Sequence, residues 1–283
     1  MPLYLLAILA LVQGITEFLP ISSSGHLDLT WIGFHGMGSV PAEIDARQEL
    51  VLDIAVHVGT LLAVCLYYWR DLAGMTCSLF HRRPDPYRRL ILLLILATLP
   101  ILAVGYVVKD WLPLLKGDLA LIGWTTLGFG ILLWIADRSG MTLRAMEHLG
   151  AKDAVILGCA QVLALVPGTS RSGITMTAAR AIGMERGDAA RISLLMSIPT
   201  ILAAGLFAGL ELREIESATL GGDAVLAAGL AFLSALIAIA VMMAWLKRAS
   251  FLPFVVYRIL LGGLLLFLVY SGTLADWGWR SGL

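Results

Sequence analysis

Residues 3–27 read LYLLAILALVQGITEFLPISSSGHL, and how this stretch is divided decides the fold. The apolar run from Leu3 gives out at Pro20, which cannot continue a helix, so residues 3–19 fall short of the about 20 residues a helix needs to cross hydrocarbon. Polar groups crowd the same interval: Gln13, Glu17, Ser22, Ser23, Ser24 and His26. The plan returns at residues 153–175, where a second short apolar run ends at Pro167-Gly168 and continues as TSRSGIT. A run too short to cross, a break and a polar start to the next helix describe a re-entrant hairpin that enters the bilayer and returns on the same side. An interfacial helix followed by a loop would have the same length.

Composition sets the solvent. Hydrophobic residues make up 59% of the 283 and charged residues 14%, against about 25% charged in an ordinary soluble domain. With a mean hydropathy of +0.88, the chain belongs in a bilayer. Basic and acidic residues balance at 20 each, so there is no basic excess to bind nucleic acid. Cys65, Cys77 and Cys159 are scattered and read as packing thiols, not as disulfides or a metal cage. No Lys or Arg precedes the apolar N-terminal run, and no small-residue cleavage site follows, so it is read as part of the mature protein.

Six other runs are long enough to cross: residues 50–69, 89–108, 119–136, 189–210, 224–246 and 253–271. Their loops alternate in charge. One side carries HRRPDPYRR (81–89), Arg138, Arg144, Lys152, Arg180, Arg186, Arg191 and Lys247-Arg248. The other carries Glu43, Asp45, Arg47 and Glu49, then Lys109, Asp110, Lys116 and Asp118, then Glu211, Arg213, Glu214, Glu216 and Asp223. The positive-inside rule makes the first set cytoplasmic and puts both chain ends outside. The expected fold is an all-α polytopic membrane protein, a single integral membrane domain over residues 1–283, with six transmembrane helices and two re-entrant hairpins. The eight tryptophans read as interface anchors, and Arg258, beside Tyr257, is expected to snorkel to the cytoplasmic interface.

The sequence also repeats. Shifted by 148 residues, Ile8-Leu9 falls on Ile156-Leu157, Gln13 on Gln161, Ser22 on Ser170 and Ser24-Gly25 on Ser172-Gly173; shifted by 140, GTLLAVCL (59–66) falls on PTILAAGL (199–206). Each half, about 1–136 and about 151–272, is then a hairpin followed by three spans. An odd number of crossings inverts the second half, and inverted repeats with broken helices hold their polar site where the breaks meet, near the midplane.

Gln13 and Glu17 lie four residues apart and so share a helix face. Ser22 to Ser24 stand where the next helix takes its N-cap, and a helix N-terminus favours an anion. The second break adds Ser170, Arg171, Ser172 and Thr175, a planar guanidinium among hydroxyls, which suits phosphate. Glu17 would repel that phosphate unless a cation lies between them, so the acid argues for a hard divalent ion, Mg²⁺ or Ca²⁺. His26 is a candidate base, acid or nucleophile, and Ser23 a candidate nucleophile. Asp53 and His57, also four apart, either face the same cavity or form an interfacial pair. The first hairpin enters from the acidic-loop side, so the pocket is expected to open outward.

At these residues the chain resembles the undecaprenyl-diphosphate phosphatase family of bacterial membrane enzymes. QGITEFLPISSSGH (13–26) is similar to that family's (E/Q)xxxE and PxSSxGH region, and PGTSRSGIT (167–175) to its PGxSRSxxT region. HVGTLLAV (57–64) and PFVVYRILLG (253–262) extend the resemblance over essentially the whole chain. It implies hydrolysis of the 55-carbon isoprenyl diphosphate to the monophosphate and inorganic phosphate in the bacterial plasma (inner) membrane, which recycles the lipid carrier for cell-wall building and gives bacitracin resistance. It implies that Glu17 is the metal-linked acid and that Ser23 and His26 are the catalytic hydroxyl and imidazole, with the nucleophile open between them. Ser170, Arg171 and Thr175 would clamp the diphosphate, with Ser22, Ser24 and Ser172 beside them. Many members have an acid where this chain has Gln13, which leaves one carboxylate fewer for metal. A lipid flippase would share the inverted architecture without hydrolysis, and an intramembrane serine protease would have no use for Arg171 or a divalent ion. The oligomeric state stays open, a homodimer included.

Overall fold

Proline and glycine punctuate the chain into helices, and no strand forms among the described residues. The computed structural model describes residues 2–36, 46–80, 85–139, 144–213 and 221–273. The outer-loop acids Glu43, Asp45, Glu214 and Glu216, the basic segment 81–84, Trp277 and Trp279 lie outside these residues, as do the side chains of Arg47, Glu211 and Arg213.

The helices are α1 (Leu3–Thr16), α2 (Ser23–Gly36), α3 (Ala46–Tyr67), α4 (Trp69–Leu79), α5 (Pro86–Val108), α6 (Leu119–Ser139), α7 (Ala151–Val162), α8 (Arg171–Ala181), α9 (Arg186–Arg213), α10 (Gly222–Leu246) and α11 (Leu252–Tyr270). Helices α3, α5, α6, α9, α10 and α11 are long and apolar enough to cross a bilayer, and they coincide with the six expected runs to within a few residues. The short pairs α1–α2 and α7–α8 are separated at Pro20 and at Pro167-Gly168, where the sequence breaks. Helix α4 was not anticipated as a separate element. It packs against α5, which starts sharply because Asp85 accepts a hydrogen bond from the Tyr87 amide at 2.7 Å with Pro86 in the first turn.

Lipid offers no hydrophobic drive between helices, so they associate by close packing at small residues. Helix α10 packs on α3 at Gly59, where an added Cβ would lie 2.2 Å from the Ala228 carbonyl oxygen; α1 packs on α10 at Gly14, where it would lie 1.8 Å from Ser234 Oγ. Helix α7 packs on α5, so each of the two short helices that precede a break rests on a long apolar helix from the other half of the sequence. The outer surface carries large apolar side chains on most helices, as lipid contact requires.

Several charges depart from the sequence reading. Arg180 Nε and Arg186 Nε both donate to Asp137 Oδ1, at 3.0 and 2.7 Å. Arg191 bonds Asp71, and Arg144 holds both oxygens of Asp153 at 3.0 and 2.6 Å. These arginines, counted as loop charges, are therefore each paired with a carboxylate. Such pairing leaves the charge count behind the orientation rule unchanged, because that rule counts Lys and Arg and gives carboxylates little weight. Arg258 does not snorkel: its exposure is 0%, because backbone carbonyls freed at both breaks accept its protons inside the protein. Trp31 is no interface anchor either; it is buried and donates to Asp53 Oδ1 at 3.2 Å. Trp69, Trp111, Trp124, Trp134 and Trp245 do lie on the outer surface. Of the cysteines, Cys77 and Cys159 are exposed and Cys65 is half-buried.

Candidate active site

Both helix breaks are built alike. Ser22 and Ser170, which the repeat equates, have φ of 75° and 71°, the left-handed region that non-glycine residues seldom occupy. Holding a residue there costs about 1–3 kcal/mol and is characteristic of functional sites. In each, the serine Oγ accepts from the amide three residues on, Gly25 N at 3.4 Å and Gly173 N at 3.0 Å, and lies near the second serine, Ser24 or Ser172. Gly168 allows the second turn: at φ 83°, an added Cβ would stand 2.1 Å from Thr125 Oγ1.

The two breaks meet. Ser172 Oγ donates to the Leu19 carbonyl at 2.8 Å. Arg258 donates from α11 to the carbonyls of Pro20 at 3.2 Å, Gly168 at 3.1 Å and Thr169 at 3.0 Å, and also to those of Thr125 and Thr126. One buried guanidinium thus braces both turns and α6.

At this junction Glu17 is the hub. Its Oε2 accepts from Ser23 Oγ at 2.7 Å and from Gln13 Nε2 at 2.9 Å, and its Oε1 accepts from Arg171 Nη2 at 3.0 Å. Arg171 Nη1 reaches the Ser193 carbonyl on α9 at 3.3 Å. His57 Nε2 stands 3.9 Å from Glu17 Oε2, its ring fixed by the Nδ1 bond to the Asp53 carbonyl at 2.6 Å. Beside them is a cavity of about 550 Å³ lined by Glu17, Ser23, Ser24, Asp53, His57, Lys116, Ser170, Arg171 and Thr200, together with apolar residues of α3 and α9. A second recess of about 590 Å³, between α1, α10 and α11, is apolar apart from Ser234 and has no groups for chemistry.

Not every expected residue faces the cavity. Ser172 turns to Leu19, and Thr175 is buried against Ser193, with Oγ atoms 2.6 Å apart, so both brace the break. His26 is not among the residues that line the cavity. Its Nδ1 must carry the proton, because its partner at 2.6 Å is the Ser22 carbonyl, which leaves Nε2 to accept from Tyr257 OH at 2.5 Å. The two rings stack with centroids 5.6 Å apart. Asp53 and His57, by contrast, both line the cavity.

A family profile described as bacitracin resistance protein BacA matches residues 6–264, which take in both breaks and the Tyr257-Arg258 pair. The chain belongs to the BacA family. It is 47% identical to undecaprenyl-diphosphatase 1 of Rhodospirillum rubrum over 272 residues, 94% of this chain and 95% of that protein. It is also 47% identical to the undecaprenyl-diphosphatase of Ruegeria pomeroyi over 277 residues, 96% of this chain and all of that protein, and 42% identical to that of Alteromonas mediterranea over the same length.

Within this BacA-family site, the donors fit a hard cation. Gln13 must turn its amide nitrogen to the Glu17 carboxylate, and the remaining oxygen, Oε1, is buried with no hydrogen-bond partner. An orphaned acceptor is costly unless something completes it. Glu17 Oε1 also keeps a lone pair beyond its bond to Arg171. No group of three His, Cys, Asp or Glu is arranged around an ion among the described residues, so substrate oxygens would have to supply other ligands.

Sequence reasoning missed four participants: Lys116 at the rim, Thr200 on the wall, Ser193 behind Arg171 and Tyr257 on His26. Thr200 had a signal, as the repeat partner of Thr60. Arg258 had one too, since an ionisable group inside a span is expensive and is kept for a purpose.

Proposed function

We propose that this chain is a diphosphatase of the bacterial plasma membrane that hydrolyses undecaprenyl diphosphate to undecaprenyl phosphate and inorganic phosphate. The relatives' names supply the substrate. The observation that carries the chemistry is that one carboxylate, Glu17, holds both the Ser23 hydroxyl at 2.7 Å and the Arg171 guanidinium at 3.0 Å.

Ser23 Oγ attacks the terminal phosphorus and gives its proton to Glu17 Oε2 as the new O–P bond forms. The anhydride P–O bond breaks, and the lipid monophosphate leaves with the bridging oxygen. Water then attacks the phosphoserine, giving inorganic phosphate, and Ser23 regains its proton. Arg171 keeps free N–H groups besides those on Glu17 and Ser193 O, and these bind phosphoryl oxygens where charge gathers. Ser24 and Ser170, on the cavity wall at the two helix starts, add neutral donors. A divalent cation, Mg²⁺ or Ca²⁺, on Glu17 and Gln13 would supply charge neutralisation at the diphosphate. Geometry favours Ser23 over His26 as nucleophile, because both nitrogens of His26 are engaged away from the cavity.

The proposal includes the arrangement in the bilayer. The pairs α1–α2 and α7–α8 enter and return as hairpins of an inverted repeat within a single domain. The like-built turns at Ser22 and Ser170, and the exchanged packing of α1 on α10 and α7 on α5, support it. The loop charges open the cavity to the outer side. Glu17, Ser23 and Arg171 come from one chain, so the chemistry is the same in a monomer or a homodimer. The test is phosphate release from undecaprenyl diphosphate by the purified protein, abolished by EDTA and by Ser23→Ala. Absence of release by the native protein would leave the flippase reading in its place.

A further inference from the structure

Among the side chains that line the cavity, Glu17, Asp53, His57, Lys116 and Arg171 can carry charge. Arg171 is bonded to Glu17 at 3.0 Å, so much of its charge is met before any substrate arrives. Lys116 is the other permanent cation among the described lining residues, and it is exposed. Its ammonium has no hydrogen bond, ion pair or ring contact among the described residues, and the carboxylates of Asp28 and Asp53 act on it only through space. Its backbone is better held. Lys116 N donates to the Pro113 carbonyl at 3.3 Å, and the amide of Gly117, in the left-handed region at φ 76°, reaches Asp28 Oδ2 at 3.5 Å. Asp28 and Ser23 share α2, so the segment joining α5 to α6 meets the helix that begins with the serine of the site. The backbone is placed while the side chain stays free. A compact charge with three protons on a flexible stem suits an anion with several oxygens.

We propose that Lys116 is a second phosphate-binding cation of this site, which contacts oxygens of the bound diphosphate and sets affinity for it without taking part in the chemical step. This rests on the diphosphatase reading and adds to it a residue that recognises the phosphoryl groups. Its division of labour with Arg171 follows from how each is held. Arg171 is largely buried and fixed by Glu17 and Ser193, as stabilisation of a transition state requires. Lys116 is unfixed and follows the anion, so its contact is the same before and during reaction, and uniform binding of that kind lowers KM without raising kcat.

Lys116→Gln tests it, with Lys109→Gln as the control. Lys109 lies on the same joining segment, over the rings of Tyr106 and Phe207 at 5.2 and 5.8 Å, and does not line the cavity. With Mg²⁺ in excess, the KM of Lys116→Gln for undecaprenyl diphosphate should rise about three- to tenfold, as fits an exposed charge facing a polyvalent anion, with kcat within about twofold. The inhibition constant of inorganic diphosphate should rise by the same factor. Lys116→Arg and Lys109→Gln should each stay within about twofold of the native protein on both measures. Unchanged KM and inhibition in a folded Lys116→Gln variant, a fall in kcat alone, or an equal rise in Lys109→Gln would overturn the proposal and leave the hydrolase reading intact. A double variant separates contact from screening: if Lys116→Gln combined with Asp53→Asn binds inorganic diphosphate as tightly as Asp53→Asn alone, the lysine only offsets that carboxylate and the proposal falls. If the native protein does not hydrolyse undecaprenyl diphosphate, the hydrolase reading fails, and melting temperature decides for Lys116. Inorganic diphosphate should then raise the melting temperature of the native protein more than that of Lys116→Gln, and an equal rise, or none in either, would overturn the proposal.

Discussion

Arg171→Lys separates charge from geometry at the centre of the site. The guanidinium spans two acceptors with two nitrogens, Glu17 Oε1 at 3.0 Å and Ser193 O at 3.3 Å, and its side chain is only 13% exposed. A lysine keeps the positive charge beside Glu17 but has one nitrogen, so it cannot hold the carboxylate and also present a fork to a phosphoryl group. Losing one charge-assisted hydrogen bond in the transition state costs about 1.5–3 kcal/mol. At about 1.36 kcal/mol per factor of ten, kcat should fall roughly ten- to 150-fold. Phosphate release at saturating substrate measures it, and a thermal melt in detergent should show a folded protein, because no carboxylate has been left bare. Turnover within twofold of the native enzyme would remove Arg171 from transition-state stabilisation and return it to structural pairing with Glu17.

Arg258→Met keeps the volume of the buried arginine and removes its protons; Pro20 O and Thr169 O accept from no other described group, so at about 1–3 kcal/mol each the variant should lose about 2–6 kcal/mol. An unchanged melting temperature would mean that those carbonyls find other donors. A cysteine placed at Ser24, on the cavity wall, should react with an impermeant thiol reagent in intact cells; reaction only after the inner face is exposed would invert the assigned topology.

Much of this architecture was legible because membrane helices must be apolar, long and continuous. The six spans follow from that alone, and Pro20 and Pro167-Gly168 mark the breaks because they cannot sustain a helix. The convergence of Glu17 and Arg171, 154 residues apart, was legible through the repeat, which aligned two serine-rich helix starts. What a one-dimensional pattern does not encode is the direction of a side chain at a break. Ser172 and Thr175 belong to the right motif, but the register of α8 turns them into the protein. His26 stands three residues beyond Ser23 on α2, and that step carries its ring to Tyr257. Arg258 misled for a related reason: length and position allow snorkelling, and only the tertiary meeting of freed carbonyls makes burial the better solution.

Gln13 is where this chain departs from the two-acid pattern, and its geometry indicates what the departure does. The amide donates to Glu17 Oε2 at 2.9 Å, orienting the carboxylate that also holds Ser23, while its own oxygen is orphaned. Gln13→Ala removes the orienting bond but no charge, so hydrolysis should fall only several-fold. Glu17→Gln removes the counter-charge of Arg171 and the acceptor for the Ser23 proton together, and should nearly abolish hydrolysis at any practical metal concentration. Gln13→Glu puts a second carboxylate against the first, where the two repel unless a cation lies between them. The apo form of that variant should melt lower than the native protein, and added Mg²⁺ should raise its melting temperature at lower concentration, since a ligand that binds only the folded state stabilises it according to its occupancy. The metal concentration for half-maximal hydrolysis should fall in step. The melt is read without substrate, so it reports the cation site independently of turnover. If Glu17→Gln instead keeps activity with an unchanged metal requirement, the carboxylate is structural and the cation is held elsewhere, with Asp53, which accepts from Trp31 and lines the same cavity, the next residue to replace.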